Sequence, residues 1–343
     1  MNIIKQLFDQ QFVIKYLEKR ILHRYPEFTD IKKITIHPYK DLIWEETYHV
    51  VIEYKTTFTT KVGRTKNLPI ICTAHSEEPR KNVYRALKFL WDNGFAKGNL
   101  TIPHPLFYSN RFRATFYRGV KGRNLYQFIK ENNRKEIEKI VIQAARWFAK
   151  LHNLPITKAK NFNKANSRIK TVIPGVKYIL ASVKKDFPRY YPFFKQAYQI
   201  MLAEEKKFFA STEKRWLIHG DAHPENIIKM SDKKIAVIDF TDICLADYAR
   251  DLGTFLQQLE FMVQRKIGDK NYIALIKKTF LENYLDDAKI DLDDDLEQRI
   301  NNYFNWTALR TATFFLLKSK AEPDRAHGLL VRISQDMKLD VTI

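Results

Sequence analysis

The stretch 216-WLIHGDAHPENIIKMSDKKIAVIDFTD-242 interrupts a long run of helical periodicity. Within it, 216-WLIHG-220 and 226-NIIKM-230 are short apolar runs, 231-SDKK-234 is a turn, and 235-IAVIDF-240 reads as a buried strand. Four carboxylates and an amide gather here: Asp221, Glu225, Asp239, Asp242 and Asn226. Asp221 follows His219-Gly220, and its loop returns to Asn226 five residues on. Asp239 ends the apolar strand, which directs its carboxylate to the strand's edge. One carboxylate to orient a hydroxyl and take its proton, with oxygen ligands for Mg2+, is the set phosphoryl transfer needs. Mg2+ keeps waters and phosphates in its shell, so one Asn oxygen and one Asp suffice.

The combined spacing resembles the catalytic and metal-binding segments of the aminoglycoside phosphotransferase and choline kinase-like family, a branch of the protein-kinase-like fold. The matching positions are His219, Gly220, Asp221 and Asn226, then Ile238, Asp239, Phe240, Asp251 and Leu252. Upstream, the helix ending in Leu151-His152 and the hinge-like 115-TFYRGVKGRNL-125 carry a weaker likeness. The resemblance implies an α+β, bilobal protein-kinase-like fold, with a small antiparallel β-sheet lobe and a larger, mainly helical lobe. Residues 1–118 would form the N-terminal helix and nucleotide-binding lobe, and 119–343 the catalytic and acceptor-binding lobe. It implies Asp221 as catalytic base, and Asn226 and Asp239 as ligands of a Mg2+ cofactor. The nucleotide base would lie against the backbone of Phe116, Tyr117, Arg118 and Gly119. His219 and His223 would be architectural, and Asp251 would accept N–H bonds from the catalytic loop. Asp242 has two roles open, a second metal or the start of a turn, while Glu225 reads as solvated. The implied reaction moves the γ-phosphate of ATP or GTP to a hydroxyl of a small-molecule acceptor in the cytoplasm. No specific protein partner is implied.

Working outward, residues 1–25 read as one amphipathic helix stopped by Pro26, packing on the small lobe or lying on anionic lipid. Segments 33–39, 48–58 and 69–76 are β-branched and aromatic, as strands are, and 112-FRATFYRGV-120 is a further strand. Val83, Ala86, Leu87, Leu90 and Trp91 share a helix face that Asn93-Gly94 ends. Residues 136–152 and 190–210 read as helices, as does most of the chain after Ala246.

Composition excludes several classes. Hydrophobic residues at 45% and charged residues at 29% argue against disorder. Two cysteines cannot build a disulfide framework or a four-thiolate zinc site. The net charge is +20, and residues 1–215 hold 42 Lys/Arg against 18 Asp/Glu, while 216–343 hold 17 against 21. Such a balance suits a polyanion partner, nucleic acid or an anionic membrane surface, as well as general solvation.

The family pattern is also broken. A Lys on the third strand should fall near Thr73, and its Glu partner near Asn82 or Val83; neither is present. Either another cation, such as Lys66, His75, Arg80 or Lys81, holds the phosphates, or donor choice is altered, or the chain is a catalytically degenerate binding module. The candidate phosphate-covering turn 38-PYKDLIW-44 lacks glycine, and Gly63 among Lys61, Arg64 and Lys66 is an alternative. Asp286, Asp287, Asp291 and Asp293–Asp295, with Tyr284, Tyr303, Phe304 and Trp306 nearby, form either a patch for a cationic acceptor or an ordinary helix start.

Overall fold

The computed structural model describes residues 2–78 and 80–339. In chain order it contains α1 (Gln10–Ile21), β1 (Phe28–Ile43), β2 (Tyr48–Thr60), β3 (Thr65–His75), α2 (Lys81–Leu90), β4 (Leu100–Thr101), β5 (Pro105–Ser109) and β6 (Ala114–Arg118). These are followed by β7 (Arg123–Asn124), α3 (Leu125–Lys130), α4 (Arg134–His152), α5 (Val176–Asp186), α6 (Tyr191–Ser211), β8 (Trp216–Ile218), β9 (Ile227–Lys229), β10 (Ile235–Val237) and β11 (Cys244–Ala246). Four helices close the chain: α7 (Ala249–Lys266), α8 (Lys270–Ala288), α9 (Asp294–Leu317) and α10 (Pro323–Met337). Two compact units result, Met1–Gly122 with Met230–Thr241, and Arg123–Lys229 with Asp242–Ile343. They interleave along the chain, unlike a contiguous division at 118/119.

The first unit is built on an antiparallel sheet of order β1-β2-β3-β6-β5. Alternation along β2 buries Val50, Ile52, Tyr54, Thr56 and Phe58 on one face. That face packs with Val13, Leu17 and Ile21 of α1 in one apolar core, and the Tyr54 hydroxyl donates to the Leu7 carbonyl at 3.0 Å. The apolar stripe of α1 is therefore covered by the sheet and offers no face to lipid. The single helix expected over 1–25 is broken at Asp9, whose carboxylate accepts the Phe12 N–H at 2.7 Å and starts a new helix after a short 3-10 turn. The stretch 38–43 continues β1 rather than turning; the β1–β2 turn is closed by Trp44 N–H donating to Thr47 O at 2.9 Å. β10 joins this unit because it pairs in parallel with β4, Ile235 opposite Leu100 and Ala236 opposite Thr101.

In the second unit, β8 pairs with β11 and β7 with β9, both antiparallel. The helices pack α7 on α9, α4 on α8 and α9 on α10. The stripe Ile140, Ala144, Trp147, Phe148 and Leu151 of α4 is fully buried, as its 3.6-residue period requires. No described helix is long and apolar enough to cross a membrane.

Gly253 sets the closeness of α7 and α9. A Cβ there would lie 2.5 Å from the Ile300 carbonyl oxygen and 2.7 Å from the Phe304 nitrogen, both backbone atoms that cannot swing away. Gly328, within α10, has nothing within 4 Å of its Cβ position. Gly253→Ala should therefore destabilise by about 1–3 kcal/mol through overpacking. Gly328→Ala should stabilise by about 0.5–1 kcal/mol through helix propensity. Urea denaturation of both variants measures the opposite signs.

Candidate active site

Asp251, in the first turn of α7, is fully buried. Its Oδ2 accepts the His219 backbone N–H at 2.7 Å and its Oδ1 the Gly220 N–H at 2.9 Å. His152, at the end of α4, meets Oδ2 through Nε2 at 3.1 Å, and its Nδ1 lies 2.8 Å from the Tyr284 hydroxyl of α8. Burial alone would raise the carboxyl pKa; the His152 hydrogen bond and charge, His219 and the Gly220 N–H outweigh it, so the pKa is lowered.

The next residues turn sharply. Gly220 has φ +84°, and a Cβ there would lie 2.3 Å from the Asp242 carbonyl oxygen, so only glycine fits. Arg250, 1% exposed, donates from Nη2 to the Gly220 carbonyl at 3.0 Å and from Nη1 to the Asn166 carbonyl. Asn166 Nδ2 donates in turn to the Asp242 carbonyl at 2.6 Å. The loop that follows is thereby held on both sides before it reaches Asp221.

The Asp221 side chain remains 45% exposed, with Oδ2 3.4 Å from His223 Nε2. Burial of the carboxyl works upward, but hydrogen bonding and charge from His223, then His219, hold it well below the usual carboxylate range. Asn226 is 6% exposed; its Nδ2 donates to the Asp221 carbonyl at 3.0 Å and lies 3.0 Å from His223 Nε2. With the amide nitrogen so engaged, Oδ1 is the atom left to a cation. Among the described residues no cluster of three or more His, Cys, Asp or Glu could hold a metal.

Asp221 and His223 also line a cavity of about 470 Å3 within the second unit. Asp242, Arg250, Trp306 and Arg310 share its wall. The segment around Asp221 announced itself by motif. Arg250 and Arg310 carry no local signal for this place; they meet it because α7 and α9 pack together. The acidic cluster does not line this cavity. Asp293 caps α9 by accepting the Leu296 N–H at 2.8 Å, Asp295 pairs with Arg299 at 2.8 Å, and Asp287 with Arg146 at 3.4 Å. Of the aromatic residues near that cluster in sequence, Trp306 is the one at the cavity, while Tyr284 serves His152.

The remaining sequence-derived positions belong to the first unit. Asp239 follows β10 with φ +61° and accepts the Thr241 hydroxyl at 2.8 Å on Oδ1. It lies close enough to Tyr117 that its charge adds to burial in raising the phenol pKa. Phe116 is buried, stacked on Phe107 with ring centroids 4.4 Å apart. The Arg118 N–H donates to His104 O at 2.8 Å and the Gly119 N–H to Pro69 O at 2.7 Å, so these two hinge donors are engaged within the unit.

Thr73 occupies the third-strand position expected for Lys, opposite Val51 and Thr115. Of the alternative cations, Lys66 is 57% exposed and pairs loosely with Glu27 at 3.9 Å, and Lys81 sits over the Tyr108 ring. Gly63 lies in the turn between β2 and β3 with its basic neighbours exposed. Arg80 differs from these. It is 4% exposed, its Nη1 meets Glu78 at 3.2 Å, its Nη2 lies 3.5 Å from His49 Nε2, and its buried Nε has no partner. His49 stands opposite His75 on the sheet face that carries Thr73. Burial, then Lys40 and Arg80, push the His49 pKa down to about 4, and burial and Arg80 lower that of His75, so both rings are neutral beside the guanidinium.

A sequence profile described as the phosphotransferase enzyme family matches residues 57–289. No curated protein matches the sequence. Among solved structures, choline kinase from Cryptosporidium parvum aligns at TM-score 0.59 and 10% identity, covering 96% of this chain and 95% of that one. The streptomycin–ATP complex of the aminoglycoside phosphotransferase APH(2")-IIa aligns at 0.56 and 14% identity, covering 94% and 95%. Plasmodium vivax ethanolamine kinase aligns at 0.54 and 12% identity, covering 94% and 88%. At these identities the alignments show a shared kinase-like fold. With the profile match extending over most of the chain, the protein belongs to the phosphotransferase enzyme family.

Proposed function

We propose that this chain transfers the γ-phosphoryl group of ATP or GTP to a hydroxyl of a small molecule. The observation that carries the proposal is Asp221: an ionised, half-exposed carboxylate at a cavity wall, on a loop anchored to buried Asp251. The acceptor O–H bond breaks and its proton passes to an Asp221 oxygen. The acceptor oxygen bonds to the γ-phosphorus, the bond to the bridging β–γ oxygen breaks, and the nucleoside diphosphate leaves. Asn226, through Oδ1, and Asp239 would hold Mg2+, which when bound neutralises charge on the β- and γ-phosphates. The nucleotide base would lie along the backbone of residues 116–119. Arg80 is our choice for the cation that replaces the strand Lys, because it is buried, unpartnered at Nε and on the sheet face of Thr73. Cys72 and Cys244 are both free thiols, which suits a reducing compartment such as the cytoplasm.

Mg2+-ATP or Mg2+-GTP at about 100 times its dissociation constant should stabilise the protein by about 2.7 kcal/mol, a Tm rise of a few degrees. Asp239→Ala should abolish that rise. Asp221→Asn should keep it while turnover falls about 10²–10⁴-fold. No rise with either nucleotide in the wild type would support a degenerate binding module, the reading that the missing Lys and Glu favour.

Because the Asp221 pKa is lowered, the group stays ionised as pH falls until well below the ordinary carboxylate range. The rate should thus show no acid limb from this group above about pH 5. A pH–rate profile of the wild type tests this.

Arg80→Met should weaken nucleotide binding about tenfold or more, the scale of a lost charge-assisted hydrogen bond, while Lys66→Met should not. Titration calorimetry of both variants compares them, and equal affinities would remove Arg80 from the role.

A further inference from the structure

The cavity beside Asp221 has an unusual charge for a site whose fold neighbours include structures described as kinases of choline and of ethanolamine. Arg250, Arg265, Arg310, Lys318 and Arg325 all line it, against the carboxylates of Asp221 and Asp242. Lys318 and Arg325 share one carboxylate, Glu322. Arg265 and Arg310 make no ion pair within 4 Å among the described residues. Arg265 stacks against Phe261, with the guanidinium 5.4 Å from the ring centroid. Arg310 lies 5.2 Å from the Trp306 ring and donates from Nη2 to the Ile173 carbonyl at 2.9 Å.

A second observation points the same way. Arg250 Nε and Trp306 Nε1 are buried in residues only 1% and 3% exposed, and neither has a hydrogen-bond partner. Both residues are part of the cavity wall, although the two donor atoms themselves are closed to solvent, so a small side-chain shift brings them to a molecule in the cavity. A buried donor without an acceptor is costly, and the groups that satisfy it are oxygens. Arg cannot give up its proton; the carbonyls and the Trp306 ring stabilise these guanidinium groups, but only an anion neutralises their charge. A cationic acceptor would meet the guanidinium groups in a partly desolvated space, where like charges repel more strongly than in water.

We infer that the acceptor is a small anion: a hydroxyl compound bearing a carboxylate or phosphate group, which the Arg250, Arg265, Arg310 and Trp306 donors bind while its hydroxyl meets Asp221. The inference deepens the phosphotransferase reading and rests on it. Asp221 and Asp242 line the same cavity, and a volume of about 470 Å3 holds a molecule of that size.

Titration calorimetry on the full chain tests this without turnover. The probes are D-gluconate, D-ribose 5-phosphate, neutral D-ribose, choline and kanamycin. At least one anion should bind tenfold or more tightly than D-ribose, choline and kanamycin. Gluconate alone would identify a carboxylate site, and ribose 5-phosphate alone a phosphate site. Arg310→Gln should weaken the anion tenfold or more, Arg310→Lys should restore part of the loss, and Arg265→Gln, at a more exposed position, should weaken it without risk to the fold. Binding of choline or kanamycin as tight as that of the anions, no binding of either anion, or anion binding unchanged in Arg310→Gln and Arg265→Gln would overturn the inference. The nucleotide-dependent Tm rise reads the parent proposal separately: it should persist in both arginine variants, so loss of anion preference and loss of kinase chemistry are told apart.

Discussion

A buried carboxylate must be surrounded by donors or it will not stay ionised, and Asp251 is where this chain meets that demand. Its oxygens take two backbone N–H groups from the loop before Asp221 and one imidazole from α4. Tyr284 completes the chain of contacts from α8. One side chain therefore ties α4, α7 and α8 to the residues that precede the candidate base. Removing it would leave His152 Nε2 and two N–H groups buried without this acceptor, so the interaction constrains the geometry more than its own net stability suggests. Asp221 inherits its position from this arrangement, and His223 and His219 then set its ionisation.

Charge is distributed in a way that composition conceals. The basic excess lies in residues 1–215, whereas residues 216–343 carry slightly more acid than base. Yet the cations at the cavity come from that second, acid-balanced stretch. At the start of α9, Asp293 caps the helix and Asp295 pairs with Arg299, while Arg310, further along the helix, lines the cavity. A sum over residues reports solubility and long-range attraction. It does not report which side chains share a wall.

The strands were legible because β2 and β3 bury one face of the sheet under α1, which imposes a period of two on their sequences. Helix α4 was legible from its stripe for the same reason. The break at Asp9 was less visible, since one carboxylate capping one N–H competes with a continuous apolar stripe on either side. The extension of β1 through 38-PYKDLI-43 was hidden by Pro38 and by its charged, exposed residues, which an edge strand tolerates. In the second unit, the residues His219 to Asn226 and Asp251 stood out in the sequence by their combined spacing, and the structure ties Asp251 to the backbone of His219 and Gly220. Arg250, Arg310 and Asn166 did not stand out, and Trp306 was noted only for its nearness to the acidic cluster, because their relation to Asp221 arises from tertiary packing.

The sequence by itself determined the local chemistry: a glycine that must turn, a carboxylate beside it, an amide five residues on, and the periodicities that make sheet and helix. These are short-range properties, decided by sterics and hydrogen bonds between near neighbours. Only the tertiary structure decided that buried Arg80 lies beside His49, on the sheet face that carries Thr73. Only it decided that the wall beside Asp221 is rich in guanidinium groups while the acidic cluster lies elsewhere. Burial, charge and hydrogen-bond demand depend on neighbours distant in the chain, and packing supplies those neighbours.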